Sequence, residues 1–142
     1  MKTEEMKRIM VLFFQAGNEQ NSSLIENNIA DSIKWHDGCD GNGSDVVFDW
    51  PKQDFINGNI LGRGGYKRTK TIIHQIAEED KVSTLFIVEG IHDKGNIWQY
   101  PPTGKKVRYT AQYTARFEND KIVEIWATMD GHILLKQLGI IN

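Results

Sequence analysis

Residues 106–130 read KVRYTAQYTARFENDKIVEIWATMD. Two runs rich in β-branched and aromatic residues, Lys106 to Phe117 and Lys121 to Met129, flank the turn-forming triplet Glu118-Asn119-Asp120, which is the pattern of a β-hairpin. A three-residue loop ending in the left-handed conformation that Asp tolerates puts Phe117 opposite Lys121 and Arg116 opposite Ile122. Side chains alternate along each strand. One face therefore carries Arg108, Thr110, Gln112, Thr114 and Arg116 with Ile122, Glu124, Trp126, Thr128 and Asp130. The other carries Ala111, Tyr113, Ala115 and Phe117 with Val123, Ile125, Ala127 and Met129. A two-residue loop changes the partners but leaves Glu124, Trp126, Thr128 and Asp130 on one side. Their polar face is either solvated, as one side of an antiparallel sheet commonly is, or the lining of a pocket.

Upstream, Thr71 to Ala77 and Val82 to Ile91 flank Glu78-Glu79-Asp80-Lys81 and read as a second hairpin. The N-terminal third is helical in pattern. Thr3 is a candidate cap, Glu4 and Glu5 suit a helix start, and Met6, Ile9, Met10, Phe13 and Gly17 recur on one face. A second helix is expected from Ser23 to about Ile33, with Ile25, Ile29 and Ile33 aligned, leading through Trp35-His36 into DGCDGNGSD (37–45). Val46 to Trp50 is a short strand candidate closed by Pro51. Helices followed by hairpin-linked strands predict one α+β domain over residues 1–142, built on an antiparallel sheet.

Several function classes drop out on composition. A net charge of −2 argues against a nucleic-acid partner. The one basic cluster, Gly65-Tyr66-Lys67-Arg68-Thr69-Lys70, reads as a solvated turn. Cys39 is alone, so no intramolecular disulfide or thiolate zinc site is expected. A calcium loop starting at Asp40 would need Gly and Glu where Asp45 and Pro51 stand, so no metal is expected. Gly62-x-Gly64 lacks the strand–turn–helix setting and third glycine of a dinucleotide fingerprint. No signal peptide or membrane-spanning run is read, and a cytoplasmic location is expected.

Two stretches carry a family resemblance. GIHDKGNIWQYPPTGKKV (90–107) and ARFENDKIVEIWATMDGHILLKQLGII (115–141) resemble the SnoaL-like polyketide cyclases, with their Gly-x-His, Pro-Pro-Thr-Gly turn, Lys-Ile-Val-Glu-x-Trp strand, nearby Asp and terminal Leu-Leu-x-Gln-Leu-Gly. The resemblance implies a cone like that of nuclear transport factor 2. A strongly curved antiparallel sheet wraps N-terminal helices around a cavity, and its convex side forms a homodimer. On that expectation the apolar face worked out above makes the dimer and the polar face lines the cavity. The Gly-rich segment Gly58 to Lys70 departs from the longer helix usual there, which alters a pocket wall and leaves the substrate open.

The resemblance also implies roles. Asp130 matches the acid/base of a cofactor-free intramolecular aldol closure, and a carboxylate enclosed by Trp126 and other apolar groups has its pKa raised toward the useful range. The alternative is that Asp130 opens a turn with Gly131. His36 and His92 match positions that polarise a carbonyl or pass a proton, or else satisfy backbone groups at element ends. Trp98, Tyr100 and Trp126 would stack on a flat apolar ligand, unless Trp98 and Tyr100 merely pack the long loop. Gln112, Thr114 and Arg116 would orient the ligand, with Trp35, Glu124 and Thr128 also contacting it, unless Arg116 and Glu124 pair. The expected partner is a small hydrophobic carbonyl compound. A non-catalytic binding module or a dimeric interaction domain of the same fold is the alternative.

Overall fold

The apolar stripe read from Met6 to Phe13 becomes the inner side of α1 (Thr3–Glu19), where Met6, Ile9, Met10, Phe13, Phe14 and Ala16 are buried. The computed structural model describes residues 2–38 and 46–142. Lys2, not Thr3, occupies the cap position, and no side chain caps the helix. Cys39, Asp40 and Asp45, on which the metal and disulfide readings rested, lie outside the described residues.

The expected second helix is not formed. Two short 3₁₀ turns (Ser22–Leu24 and Glu26–Asn28) give way to strand β1 (Ile29–Asp37). A four-residue spacing suits a strand as well as a helix, so Ile29 and Ile33 still share the buried face. Five more strands follow: β2 (Val46–Pro51), β3 (Arg68–Glu78), β4 (Lys81–Ile91), β5 (Lys106–Glu118) and β6 (Lys121–Met129). Between β2 and β3 lies α2 (Lys52–Phe55), continued by a wider π turn (Ile56–Ile60), and α3 (Gly131–Gln137) closes the chain. The six strands form one sheet in the order β2-β1-β6-β5-β4-β3, antiparallel except for β1 against β6.

The β5–β6 turn departs from the expected register. Asn119 and Asp120 both have positive φ (49° and 64°), the signature of a two-residue type I′ turn, and Glu118 pairs Lys121. Unbroken, that register would turn Glu124 toward the core. A bulge intervenes, with Phe117 opposite Ile122 but Arg116 opposite Glu124, leaving Val123 as the extra residue. Ile122 therefore points into the core. Glu124, Trp126 and Thr128 keep the side of Arg116, Thr114 and Gln112.

The expected use of the two faces is reversed. Tyr113, on the apolar face, packs against Phe13, Phe14, Phe86 and Trp35 with ring centroids 6.2, 5.8, 4.8 and 5.4 Å apart. The apolar face is the concave side, because the buried stripe of α1 requires an apolar partner. It is therefore not a convex dimer surface, and the polar face is the outer one.

Candidate functional site

Strand alternation decides which side chains enter the concavity. On β4, Val82, Thr84, Phe86 and Val88 are buried and face inward. Register with β3 puts Lys70 opposite Val88, and Arg68 opposite Gly90, on that same inner side. The segment read as a solvated basic turn is thus the start of a strand, with two of its cations turned in. On β1, Ile33, Trp35 and Asp37 share the inner side. Trp35 packs on Phe55 and Tyr113.

These residues border a cavity of about 230 Å³, walled by Trp35, Phe86, Tyr109, Tyr113, Trp98 and Met129, with Asp37, Asn59, Arg68 and Lys70 as its charged and amide groups. A second compartment of about 230 Å³ shares Arg68, Trp98, Tyr109 and Met129 and ends at Leu134 of α3. Asp37 is the only carboxylate of the first cavity's described lining.

Lys70 is unusually placed for a lysine. Asn18, at the end of α1, clamps its backbone in both directions, donating to the Lys70 carbonyl and accepting from its N–H, each at 2.8 Å. The half-buried side chain runs over aromatic rings, with Nζ 5.3 Å from the Tyr113 centroid and 5.7 Å from that of Phe86. Nζ donates a long 3.4 Å hydrogen bond to the Tyr113 hydroxyl. Among the described residues no carboxylate pairs with Lys70 or Arg68. Burial, reinforced by the Arg68 cation, pushes the Lys70 amine down to about 7. Arg68 itself lies 5.3 Å above the Tyr66 ring. Burial, with Tyr66 alongside, holds the Tyr109 phenol well above its ordinary range, so it is a neutral hydroxyl.

The residues expected from the sequence divide between the two sides. Trp35 and Trp98 line the cavity, and Thr128 reaches its rim. Gln112, Thr114, Arg116, Glu124, Trp126 and His36 lie on the outer face. There they do converge: His36 stacks on Trp126 (4.8 Å, 11°), its Nε2 meets Glu124 Oε2 at 2.5 Å, and Arg116 Nε donates to Glu124 Oε1 at 2.9 Å. The Arg116–Glu124 pair exists, yet it fills no pocket. Burial disfavours the Glu124 carboxylate, but the His36 and Arg116 donors outweigh this and hold it below the usual carboxylate range.

His92 is fully buried and lines neither compartment, packing edge-on against Tyr66 of the second at 5.6 Å. Its Nε2 meets the Gly95 carbonyl at 2.8 Å and its Nδ1 meets Thr103 Oγ1 at 3.2 Å, an arrangement that ties the 92–105 loop together. Tyr100 bridges Ile97 within that loop. Asp130 is exposed, lines neither compartment, and caps α3 by accepting the Ile133 N–H at 3.1 Å. Parity explains this: it follows Thr128 on the outer side of β6. The expected trio of Asp130, His36 and His92 is therefore not assembled in the cavity.

Two signals for Lys70 and Asp37 were present in the sequence. Extending the strand at Thr71 back by three residues puts Arg68 and Lys70 on the face of Ile72. Reading 29–37 as a strand puts Asp37 on the face of Ile33 and Trp35. Among the described residues no three His, Cys, Asp or Glu side chains converge as metal ligands, and no helix is long and apolar enough to cross a membrane.

Comparison with known proteins agrees with this architecture. The family model described as SnoaL-like polyketide cyclase matches residues 67–138, just over half the chain. Among solved structures, AclR from Streptomyces galilaeus is 22% identical, with a TM-score of 0.76 over 99% of this chain and 89% of that one. TsrD from Streptomyces laurentii is 17% identical, with a TM-score of 0.79 over 99% of each chain. A protein of ketosteroid isomerase-like fold from Catenulispora acidiphila, in complex with trimethylamine, is 11% identical, with a TM-score of 0.71 over 94% and 93% of the two chains. At these identities the likeness is one of fold. No curated protein matches the sequence significantly.

Proposed function

The chain belongs to the SnoaL-like polyketide cyclase family, and from that premise we propose that its concave cavity takes a small hydrophobic carbonyl compound and moves protons on it in a cyclase- or isomerase-like reaction. One observation carries the reading. An aromatic-walled cavity of about 230 Å³ holds one carboxylate, Asp37, and one amine without an ionic partner among the described residues, Lys70. β1 and β3, which supply them, flank the β6-β5-β4 floor from opposite sides.

The chemistry follows from the groups. Removing a proton from carbon next to a carbonyl needs a base at that carbon and a donor at the oxygen where charge develops. Asp37, the carboxylate of the cavity's described lining, takes the role of base. Lys70 Nζ and the Tyr113 hydroxyl are adjacent donors, 3.4 Å apart, for the oxygen. Trp35, Phe86 and Tyr113 supply flat apolar surface for the hydrocarbon part.

The test requires no natural substrate. 4-Phenyl-2-butanone in heavy water should exchange the protons flanking its carbonyl faster with the protein than in buffer, as followed by proton NMR. Asp37→Asn should lower the acceleration at least tenfold. Exchange at the buffer rate, or exchange indifferent to Asp37→Asn, would refute the proton-transfer role. Binding of the ketone without exchange would favour a non-catalytic binding module.

A further inference from the structure

We propose that Lys70 is a covalent catalyst, attacking the substrate carbonyl through Nζ to form an imine within the cavity. The inference rests on the carbonyl reading above and goes beyond it, because proton transfer alone needs no covalent bond.

Three features of the geometry carry it. Nζ lies in a cavity large enough for a small ketone or aldehyde, between the faces of Phe86 and Tyr113. Among the described residues its hydrogen bond, to the Tyr113 hydroxyl, is long at 3.4 Å, so little opposes its release to a ligand. Asn18 holds the backbone of this residue, and of no other on β3, by two 2.8 Å hydrogen bonds, which fixes the root of the side chain while its tip stays available. Arg68 stands two residues away on the same inner side. Desolvation beside a second cation is the setting in which a lysine becomes a nucleophile. A purely structural lysine would instead be expected to reach a carboxylate or water.

The amine is poised for this at neutral pH, since its value of about 7 leaves roughly half of it uncharged. The Nζ lone pair forms a C–N bond at the carbonyl carbon as the C=O π pair moves to oxygen, and a proton passes from the nitrogen to that oxygen to give a neutral carbinolamine. Loss of that oxygen as water, with one proton taken from solvent, leaves a protonated imine. Asp37 then accepts a proton from the neighbouring carbon, and the electron pair of that C–H bond flows toward the nitrogen to give an enamine. The enamine carbon is the nucleophile for an aldol-type bond, or the site of reprotonation in an isomerisation. Arg68 is a positioning residue here, acting only through the charge state of Lys70.

The experiment is reductive trapping. The protein is incubated with 4-phenyl-2-butanone and sodium cyanoborohydride at pH 7, digested, and mapped by mass spectrometry, with ketone binding followed in parallel by saturation-transfer NMR. An ordinary lysine is neutral to only about 0.03% at this pH, so Lys70 should be modified on the order of a thousandfold faster than a surface lysine. Lys70→Arg should bind the ketone yet give no selective adduct. Arg68→Met should move the midpoint of the pH–trapping curve upward, which a merely structural lysine would not show. Ketone binding with no adduct at Lys70 would overturn the imine and leave the carbonyl reading standing. Modification spread evenly over surface lysines would overturn it as well. Neither binding nor modification would remove the carbonyl reading together with the imine that rests on it.

Discussion

Replacing Lys70 by Met keeps an unbranched side chain, one heavy atom shorter, and removes its charge, so stability reports the cost of holding an ammonium group in the aromatic cavity. The native amine titrates near 7 and the unfolded one near 10.5. Below pH 7 both states carry the proton, and the native state bears the whole desolvation penalty. Between the two values the unfolded chain binds more protons, so wild-type stability rises with pH relative to the variant. From pH 6 to pH 9 the full shift is worth about 2.7 kcal/mol at 1.36 kcal/mol per unit. The half-buried amine retains some water, and about 2 kcal/mol is expected. Urea unfolding of both proteins at the two pH values measures this directly, because other titrating groups cancel in the difference. Lys70→Met should be the more stable protein at pH 6 and should lose about 2 kcal/mol of that lead by pH 9. A stability difference that does not change with pH would show an ordinary ammonium group and refute the reasoning.

The remaining predictions concern residues outside the cavity. Asp130→Ala should lower stability by about 1 kcal/mol through loss of the α3 cap, whereas Asp130→Asn should be nearly neutral, and neither should change ketone exchange. Glu124→Gln should cost roughly 1–3 kcal/mol at pH 7 by weakening its bonds to His36 and Arg116. Because the native Glu124 carboxyl is held below 4.5, that cost should fade as pH falls through the acid range beneath this value, as acid titration of stability would show. Gly95→Ala should be strongly destabilising in thermal melts, since an added Cβ would stand 2.3 Å from the Gly64 carbonyl at a φ of +74°.

The hairpin at 106–130 was legible because alternation is a local property. The grouping of Glu124, Trp126 and Thr128 survives a turn of different length because a bulge at Val123 compensates for it. Which grouping faces inward was not legible from the hairpin, since either face can pack on something. The answer lay in α1, whose stripe of Met, Ile and Phe packs across β3 and β4 and meets Tyr113 of β5, which fixes that side of the sheet as the inner one. Ile25, Ile29 and Ile33 misled for a different reason, as a four-residue step is shared by helix and strand. Lys70 was hidden by composition: three cations beside two glycines look like a turn, and only the pairing with Val88 reveals an inward strand position. Asp130 was hidden by motif, because a capping carboxylate and a pocket carboxylate look alike in one dimension.

The central claim is that the working face of the sheet is the concave one around Lys70. Methyl NMR of the protein titrated with 4-phenyl-2-butanone tests it most directly, because methyl groups mark the two faces independently of the shared backbone. The largest shifts are expected at the Val88, Ala111 and Ala127 methyls that line the cavity, with Leu85, Ile87 and Thr114 on the outer side unmoved. Shifts concentrated on those outer methyls would contradict it and return the site to the polar face.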